Sequence, residues 1–373
     1  MAIQFYPTPI DEVRAETAEA FSLYFRQPDP VVFQYKAGQY LTVKVDVGGE
    51  SLRRAFSMSS SPLTDGRLRV TIKRVPGGRV SNHIWNHLRA GDTLEILPPM
   101  GNFYVAPEPD RCKHYILIGA GSGITPLMAI LKTVLAGEPL SKVSLWYCNR
   151  DEASIIFKDE LLALSRQYAD RLLVYHSLTQ PGPDWKGPQG RLDKDRIYQL
   201  LLELFMEDEY RKEYYLCGPQ GLMEAAQAAF DKHAVNPDDV HRELYSAPAP
   251  TAEDVTRAYA QAAGPAPVAE TGLSDGETQY ELITREIEVR LNGKTKKISV
   301  KPDQYILDAA IAARMDPPYA CQSGICTTCR AMLHTGVVSM DETEGLSARE
   351  LEQGYILTCQ AHPLTDDVSV EYM

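Results

Sequence analysis

Hydrophobic and polar positions follow two different rhythms in the first 245 residues of the chain. Up to about residue 105, short alternating stretches such as Tyr40–Val45, Leu68–Lys73 and Thr93–Ile96 are punctuated by Gly and Pro. This pattern predicts half-buried antiparallel strands rolled into a β-barrel. From Tyr115 onward the apolar runs become continuous, at Tyr115–Gly119, Val143–Tyr147, Leu172–Tyr175 and Tyr214–Cys217, and they alternate with helical stretches such as Leu127–Leu135 and Gln220–His233. Continuous runs predict parallel strands covered by helices on both faces. Between Ser246 and Gln279 the apolar pattern gives way to Ala-Pro-Ala-Pro, Gly264-Pro265-Ala266-Pro267 and Ser274-Asp275-Gly276. That composition predicts a semi-stiff tether, with a short helix from Thr251 to Ala263 begun by Thr251 and Asp254 in a capping box. The expected division is a barrel domain at 1–108, an α/β domain at 109–245, a linker at 246–279 and a small C-terminal domain at 280–373.

A chain of 373 residues with 44% hydrophobic residues has room for two or three globular domains. It contains no apolar run of membrane-spanning length, so no membrane association is expected. The start, Met1 to Pro7, lacks the basic and apolar segments of a secretion signal, and the expected location is the cytoplasm. A net charge of -12 without clustered Lys and Arg argues against nucleic acid as a partner. Residues 281–373 carry 14 Asp and Glu against 9 Lys and Arg. Such a balance either steers a basic partner or simply keeps the surface solvated.

Cysteine spacing changes the picture most. Cys321, Cys326 and Cys329 form C-x4-C-x2-C, and Cys359 follows at a distance. This is the spacing with which plant-type ferredoxins hold a 2Fe-2S cluster through four thiolates. A set of buried cysteines and a zinc site are the alternatives; zinc knuckles bring two C-x2-C pairs, and only Cys326 and Cys329 make one here. Cys112, Cys148 and Cys217 remain, an odd number in apolar contexts. They argue against a disulfide framework and for a reducing compartment.

The run Pro318–Arg330, with Gly354–Gln360, resembles the ferredoxin domains fused to bacterial oxygenase reductases. The resemblance implies an α+β, β-grasp domain with Cys321, Cys326, Cys329 and Cys359 as cluster ligands. Upstream, Gly119-Ala120-Gly121-Ser122-Gly123-Ile124-Thr125-Pro126 falls where the first parallel strand meets a helix. Glycines there let backbone amides approach a pyrophosphate. The loop, with its Thr125-Pro126 ending, resembles the pyridine-nucleotide loop of the ferredoxin-NADP reductase superfamily, and Cys217-Gly218-Pro219 resembles the C-G-P turn that stands beside the nicotinamide in it. Each segment alone also reads as a structural turn; the pair favours a nucleotide site.

Arg54-Ala55-Phe56-Ser57 resembles the superfamily's R-x-Y-S motif, which implies Arg54 on a flavin phosphate, Phe56 against the isoalloxazine and Ser57 reaching the flavin. Phe56 replaces the usual Tyr and removes a phenolic hydrogen bond. The resemblance further implies that the backbone at Lys73 and Val75 lines the flavin ring. Gly77-Gly78-Arg79-Val80-Ser81 resembles the G-G-x-x-S loop, with Gly77, Gly78, Val80 and Ser81 at its positions and FAD rather than FMN as the flavin. The alternatives are a surface salt bridge for Arg54 and a hairpin turn for Gly77-Gly78. Glu243-Leu244-Tyr245 resembles an E-x-aromatic ending that puts Glu243 near the flavin and the Tyr245 ring over it. His83, His87 and His114 read as ordinary polar residues.

A multidomain electron-transfer enzyme is thus expected: an antiparallel β-barrel flavin domain, an α/β parallel-sheet nucleotide domain and a ferredoxin domain. It resembles reductase subunits that serve phenylacetyl-CoA epoxidase and steroid hydroxylases, which implies electron flow from NAD(P)H through FAD and a 2Fe-2S cluster to a terminal oxygenase. Hydride passes between bound cofactors, so no side chain need act as acid or base. A flavin reductase for another acceptor protein, carrying haem or a cluster, would share every motif; a non-enzymatic cluster-bearing sensor would not need the paired loops. NADPH is favoured over NADH because Arg150, in Cys148-Asn149-Arg150-Asp151, ends the second parallel strand where an Arg pairs with a 2′-phosphate. Arg191 is a possible helper, and Asp151 is the opposing candidate for the ribose of NADH.

Overall fold

The structure, a computed structural model, describes residues 4–207, 210–244, 283–343 and 345–372. The chain divides into two units, Phe5–Ser246 and a C-terminal unit of Ala247–Met373 with Met1–Gln4. The expected linker, its helix and Tyr245 lie outside the described residues.

The first unit begins with strands β1 (Tyr6–Ala15), β2 (Ala20–Phe25), β3 (Tyr40–Val47), β4 (Glu50–Ser57), β5 (Leu68–Lys73) and β6 (Thr93–Ile96), with helix α1 (Arg79–His87) between the last two. They form one antiparallel sheet in the order β4-β3-β6-β1-β2-β5. The sheet curls until Met58, just past β4, bridges Val70 on β5, and the Ser59 N–H donates to Arg69 O at 2.8 Å. Closure of this kind removes open edges. Leu23, Phe25, Leu41, Val43 and Val70 fill the interior, and α1 plugs it with Val80 and Ile84. Strand β1 holds Pro7 and Pro9 because it pairs with β6 through Tyr6–Pro9 and with β2 only from Ile10 onward. At the prolines one side of the strand has no ladder to lose.

The same unit continues with β7 (Lys113–Ala120), α2 (Ile124–Gly137), β8 (Lys142–Asn149), α3 (Lys158–Gln167), β9 (Leu172–Leu178), α4 (Lys194–Glu207), β10 (Arg211–Gly218), α5 (Gln220–His233) and β11 (Val240–Leu244). All five strands are parallel, in the order β11-β10-β7-β8-β9. Separate apolar clusters cover the two faces, one around Leu117, Leu127 and Leu145, the other around Ile118, Trp146 and Leu201. Helix α2 starts at Ile124, ahead of the Leu127 predicted, with Thr125 and Pro126 in its first turn. Proline is tolerated there because first-turn amides have no intrahelical partner. The chain moves outward on one side of β7 through β8 and β9, then crosses to β10 on the other. The switch point therefore falls at the carboxyl ends of β7 and β10, the place where open α/β sheets bind ligands.

A buried ionic bridge joins the barrel to the parallel-sheet half. Arg69 Nη1 and Nη2 reach the two oxygens of Glu160 at 2.8 and 3.3 Å, Lys132 Nζ reaches Glu160 Oε1 at 3.1 Å, and Lys132 also pairs with Asp65.

The C-terminal unit contains β12 (Arg285–Leu291), β13 (Lys294–Val300), α6 (Ile306–Ala312), β14 (Arg330–Thr335), β15 (Val338–Met340), α7 (Ala348–Glu352), β16 (Tyr355–Leu357), β17 (Ala361–Pro363) and β18 (Ser369–Tyr372). Its main sheet runs β13-β12-β18-β14-β16, with β15 and β17 paired separately. Asn292 and Gly293, at φ of 50° and 73°, turn β12 into β13, as an Asn-Gly hairpin does. The sheet clasps α6, whose Ile306, Ala309 and Ala310 pack with Ile287, Val289 and Val370. Among the described residues no helix is long and apolar enough to cross a membrane.

Candidate functional site

Helices α1, α2 and α5 each follow a glycine-containing turn, and none has a capping side chain or an acidic residue in its first turn. By contrast α3, α4 and α6 carry Asp159 and Glu160, Asp195 and Asp308 there. An acid in the first turn normally complements the helix dipole. Omitting it at three glycine turns leaves amides for anions from outside, as the phosphates of FAD and of a nicotinamide nucleotide require.

The three glycines of the nucleotide loop have different tasks. A Cβ on Gly123 would collide with Cys217 O, and one on Gly119 would lie 2.8 Å from Leu127 Cδ1. Both let the loop pack against its surroundings. Gly121 alone has a left-handed φ of 55°, and among the described residues the nearest atom to where its Cβ would sit is Lys73 Nζ, at 3.9 Å. Tyr147 Oη donates to Gly121 O at 2.8 Å, and burial pushes that phenol's pKa up. Thr125 and Pro126 are buried in the first turn of α2, with Thr125 Oγ1 donating to Ser122 O at 3.1 Å. They shape the loop rather than face solvent.

At the seam between barrel and sheet, three predicted residues meet. Ser57 Oγ donates to Glu243 Oε2 at 2.8 Å, and Cys217 Sγ lies 3.9 Å from the same oxygen. The sheet register sets Cys217 beside Glu243 across β10 and β11. Gly218 closes tightly on Leu222 and Ala120, and Pro219 is exposed at the start of α5. Phe56 is half-buried against the barrel core, while Val75 is exposed. Val80 is buried inside the barrel, so only its backbone can face a ligand. Ser81 Oγ accepts the Val75 N–H at 3.2 Å, and Asn82 Nδ2 donates to Val75 O and Gly78 O at 2.8 and 2.7 Å. Asn82, which ties down the Gly77-Gly78 turn, carried no recognisable signal in the sequence.

Arg54 is exposed and donates from Nη1 to Arg53 O at 2.6 Å. Close by, Arg79 Nη2 pairs with Glu50 Oε2 at 2.7 Å; that bond, helped by Arg54, holds the Glu50 carboxyl below its ordinary range. Arg150 donates from Nε to Asp151 Oδ2 at 3.1 Å, and Asp151 Oδ1 accepts the Ser154 N–H at 2.9 Å. Arg191 is exposed just beyond Gly190, whose φ is 102°.

The four cluster thiols share one neighbourhood, Cys321 beside Cys326 and Cys359, and Cys359 beside Cys329. Cys321 Sγ also accepts the N–H of Ser323 at 3.4 Å and of Cys326 at 3.3 Å. Hydrogen bonds from the Cys326 and Cys359 thiols hold Cys321 well below the usual thiol range, while those same bonds and burial push Cys326 and Cys359 up. Four thiols gathered this closely fit a cationic centre. Among the described residues no three Cys, His, Asp or Glu side chains are arranged to hold a single metal ion. A 2Fe-2S cluster divides four such ligands between two irons. Gly324, at φ 73°, leaves no room for a Cβ beside Glu342, and Gly345 N–H donates to its carbonyl at 2.8 Å.

Comparison with known proteins assigns the same three parts. Residues 9–104 match the oxidoreductase FAD-binding domain, 117–228 the oxidoreductase NAD-binding domain and 289–364 the 2Fe-2S iron-sulfur cluster binding domain. The chain is 33% identical over 371 residues to a subunit of 1,2-phenylacetyl-CoA epoxidase from Escherichia coli, covering 99% of this chain and 98% of the relative. It is 35% identical over 370 residues to the ferredoxin reductase component of 3-ketosteroid-9-alpha-monooxygenase from Rhodococcus rhodochrous, covering 97% and 95%. Phthalate dioxygenase reductase shares the fold at a TM-score of 0.58 and 21% identity, covering 99% of this chain and 98% of that one. The cytochrome b5 reductase domain of Ulva prolifera nitrate reductase shares it at 0.55 and 23%, covering 64% and 97%. These matches make the protein an NAD(P)H-dependent flavin and iron-sulfur oxidoreductase that delivers electrons to an oxygenase. The chain belongs to the family of oxygenase reductase components in which an FAD-binding, an NAD-binding and a 2Fe-2S ferredoxin domain share one polypeptide.

Proposed function

We propose that the seam of Ser57, Cys217 and Glu243 is where the nicotinamide of NADPH meets the flavin, and that the oxygenase served is of the phenylacetyl-CoA epoxidase kind. The observation that carries the seam is the Glu243 oxygen reached by Ser57 from the barrel and Cys217 from the sheet, at 2.8 and 3.9 Å. FAD bound there supplies the conversion of a two-electron hydride donor into one-electron deliveries to the cluster. Ser57 donates to Glu243, and a hydroxyl accepts as well as donates, the dual capacity that a ring N–H calls for. Cys217 is buried at the end of β10, and its side chain is small enough for a flat ring to approach that strand end closely.

In this reading Arg54 and the turn of Gly77, Gly78, Val80 and Ser81 hold the FAD phosphates, with the backbone at Lys73 and Val75 along the ring. Gly119, Gly121, Gly123, Thr125, Pro126, Gly218 and Pro219 form the nucleotide cradle, Tyr245 covers the flavin, and Cys321, Cys326, Cys329 and Cys359 hold the cluster. The domains run 1–108, 109–245 and 280–373 around the 246–279 linker. Arg150, helped by Arg191, takes the 2′-phosphate. Supporting NADPH over NADH, both Asp151 oxygens are already engaged, by Ser154 and by Arg150. An end-to-end match to a component of that epoxidase supports the acceptor. Seven cysteines, none in a disulfide, support a cytoplasmic location.

Anaerobic mixing with NADPH tests the seam. Ser57→Ala should slow flavin bleaching about 10- to 100-fold with FAD content unchanged, the loss of a bond to a charged group being worth about 1.5–3 kcal/mol. Arg54→Ala should release FAD on gel filtration. Wild-type bleaching rates in Ser57→Ala would remove the seam from hydride transfer, and failure to reduce an epoxidase component would remove that acceptor.

A further inference from the structure

Where the β1–β2 turn of the barrel faces the end of β8, one acid stands between two cations. Glu19 Oε1 lies 3.4 Å from Arg150 Nη2, and Glu19 Oε2 lies 3.8 Å from Lys73 Nζ. Lys73 Nζ in turn adjoins Gly121, the open tip of the nucleotide loop. The carboxylate is held at this place by the barrel backbone: Glu19 N–H donates to Thr17 Oγ1 at 3.2 Å, and Glu19 O accepts the Arg74 N–H at 2.7 Å. The Glu19, Lys73 and Arg150 side chains are 44%, 35% and 50% exposed. Ion pairs so exposed are weak and exchange readily. A carboxylate against the two cations also repels any phosphate that approaches them.

We propose that Glu19 is a resident counter-anion of the dinucleotide site, displaced from Arg150 when a 2′-phosphate arrives, and that it limits how strongly the protein prefers NADPH to NADH. The inference rests on Arg150 as the partner of the 2′-phosphate and adds to it an opposing residue from the other domain. A ligand with a 2′-phosphate must break the Glu19–Arg150 pair, whereas one with a free ribose leaves it standing. The barrel therefore contributes to nucleotide choice through a residue that touches no base or ring.

Calorimetric binding of adenosine 2′,5′-bisphosphate and of 5′-AMP to the full-length, FAD- and cluster-loaded protein tests this in wild type, Glu19→Gln, Arg150→Ala and the double variant. Glu19→Gln should bind the bisphosphate about three- to tenfold more tightly, the scale of removing one nearby charge in exposed surroundings. Its affinity for 5′-AMP should stay within about twofold, and the gain should vanish when Arg150 is absent. Unchanged bisphosphate affinity in Glu19→Gln, with weakened binding in Arg150→Ala, would overturn the role of Glu19 and leave that of Arg150. Unchanged affinity in Arg150→Ala would overturn both. Equal tightening of both ligands would also overturn the proposal, since Glu19 would then oppose the 5′-phosphate.

Discussion

Charged side chains join the barrel to the nucleotide sheet at two places. In the first, Arg69 and Lys132, only 6% and 7% exposed, close on a Glu160 that is 32% exposed, with a forked pair and a third contact. In the second, Glu19 spans to Arg150 and Lys73 at 3.4 and 3.8 Å with every partner at least a third exposed. The chemistry is the same, an acid between two bases, and the surroundings reverse its consequence. Desolvated cations are costly to leave single, so the first bridge is the more strongly held of the two. Solvated charges gain little from each other, so the second can be traded for a ligand's phosphate. An enzyme that passes hydride across a domain seam needs both kinds of contact.

The largest expected effect comes from breaking the buried bridge. Glu160→Ala takes the carboxylate from the buried Arg69 guanidinium and leaves Lys132 with Asp65 alone, and should destabilise the first unit by about 3 kcal/mol, read as a lower urea midpoint of flavin fluorescence. A change under about 0.5 kcal/mol would mean that this bridge too is open to water.

Acid offers a second way to sharpen the contrast. Burial works against ionisation of Glu213, yet hydrogen bonds from His241 and Lys113 overcome it and bring its pKa from 4.5 to about 2. A carboxyl depressed on folding stabilises the native state fully above its unfolded pKa and loses that stabilisation as pH falls towards the folded value. Stability should therefore decline between about pH 4.5 and 2, by on the order of 2 kcal/mol from this group. Glu213→Gln should flatten that decline in urea titrations at pH 5 and pH 3; an identical slope would assign the acid sensitivity elsewhere.

The smallest effect is expected at the open bridge. Glu19→Gln should shift the same urea midpoint by less than about 0.5 kcal/mol, while altering nucleotide affinity. A loss comparable with that of Glu160→Ala would erase the distinction between the bridges.

Much of this architecture was readable because its signals are local. Strands β7, β8 and β10 are covered on both faces and so appear as unbroken apolar runs. Three of the four cysteines proposed for the cluster declare themselves by spacing within nine residues. Other parts were hidden for physical reasons. Strand β1 carries two prolines that only its divided pairing makes acceptable, and β4 contains Arg53 and Arg54 in succession. Helix α1, RVSNHIWNH, buries only Val80, Ser81 and Ile84, too few for a clear apolar stripe. Ser57 and Glu243 are 186 residues apart, and Glu19 and Arg150 are 131 apart. Resemblance to a family could nominate Ser57, Glu243 and Arg150, but no pattern in the chain marks Glu19, because its significance arises only when the barrel folds against the sheet.

The central claim is that hydride is received by the first unit and that electrons leave through the cysteines of the second. Anaerobic stopped-flow mixing of NADPH with wild type and Cys326→Ser, followed at flavin and cluster wavelengths, tests it most directly. The variant should lack cluster absorbance, bleach its flavin at the wild-type rate, reduce a small dye normally and deliver nothing to the oxygenase. A folded variant that lost flavin bleaching as well, or that still fed the oxygenase, would contradict that order of transfer.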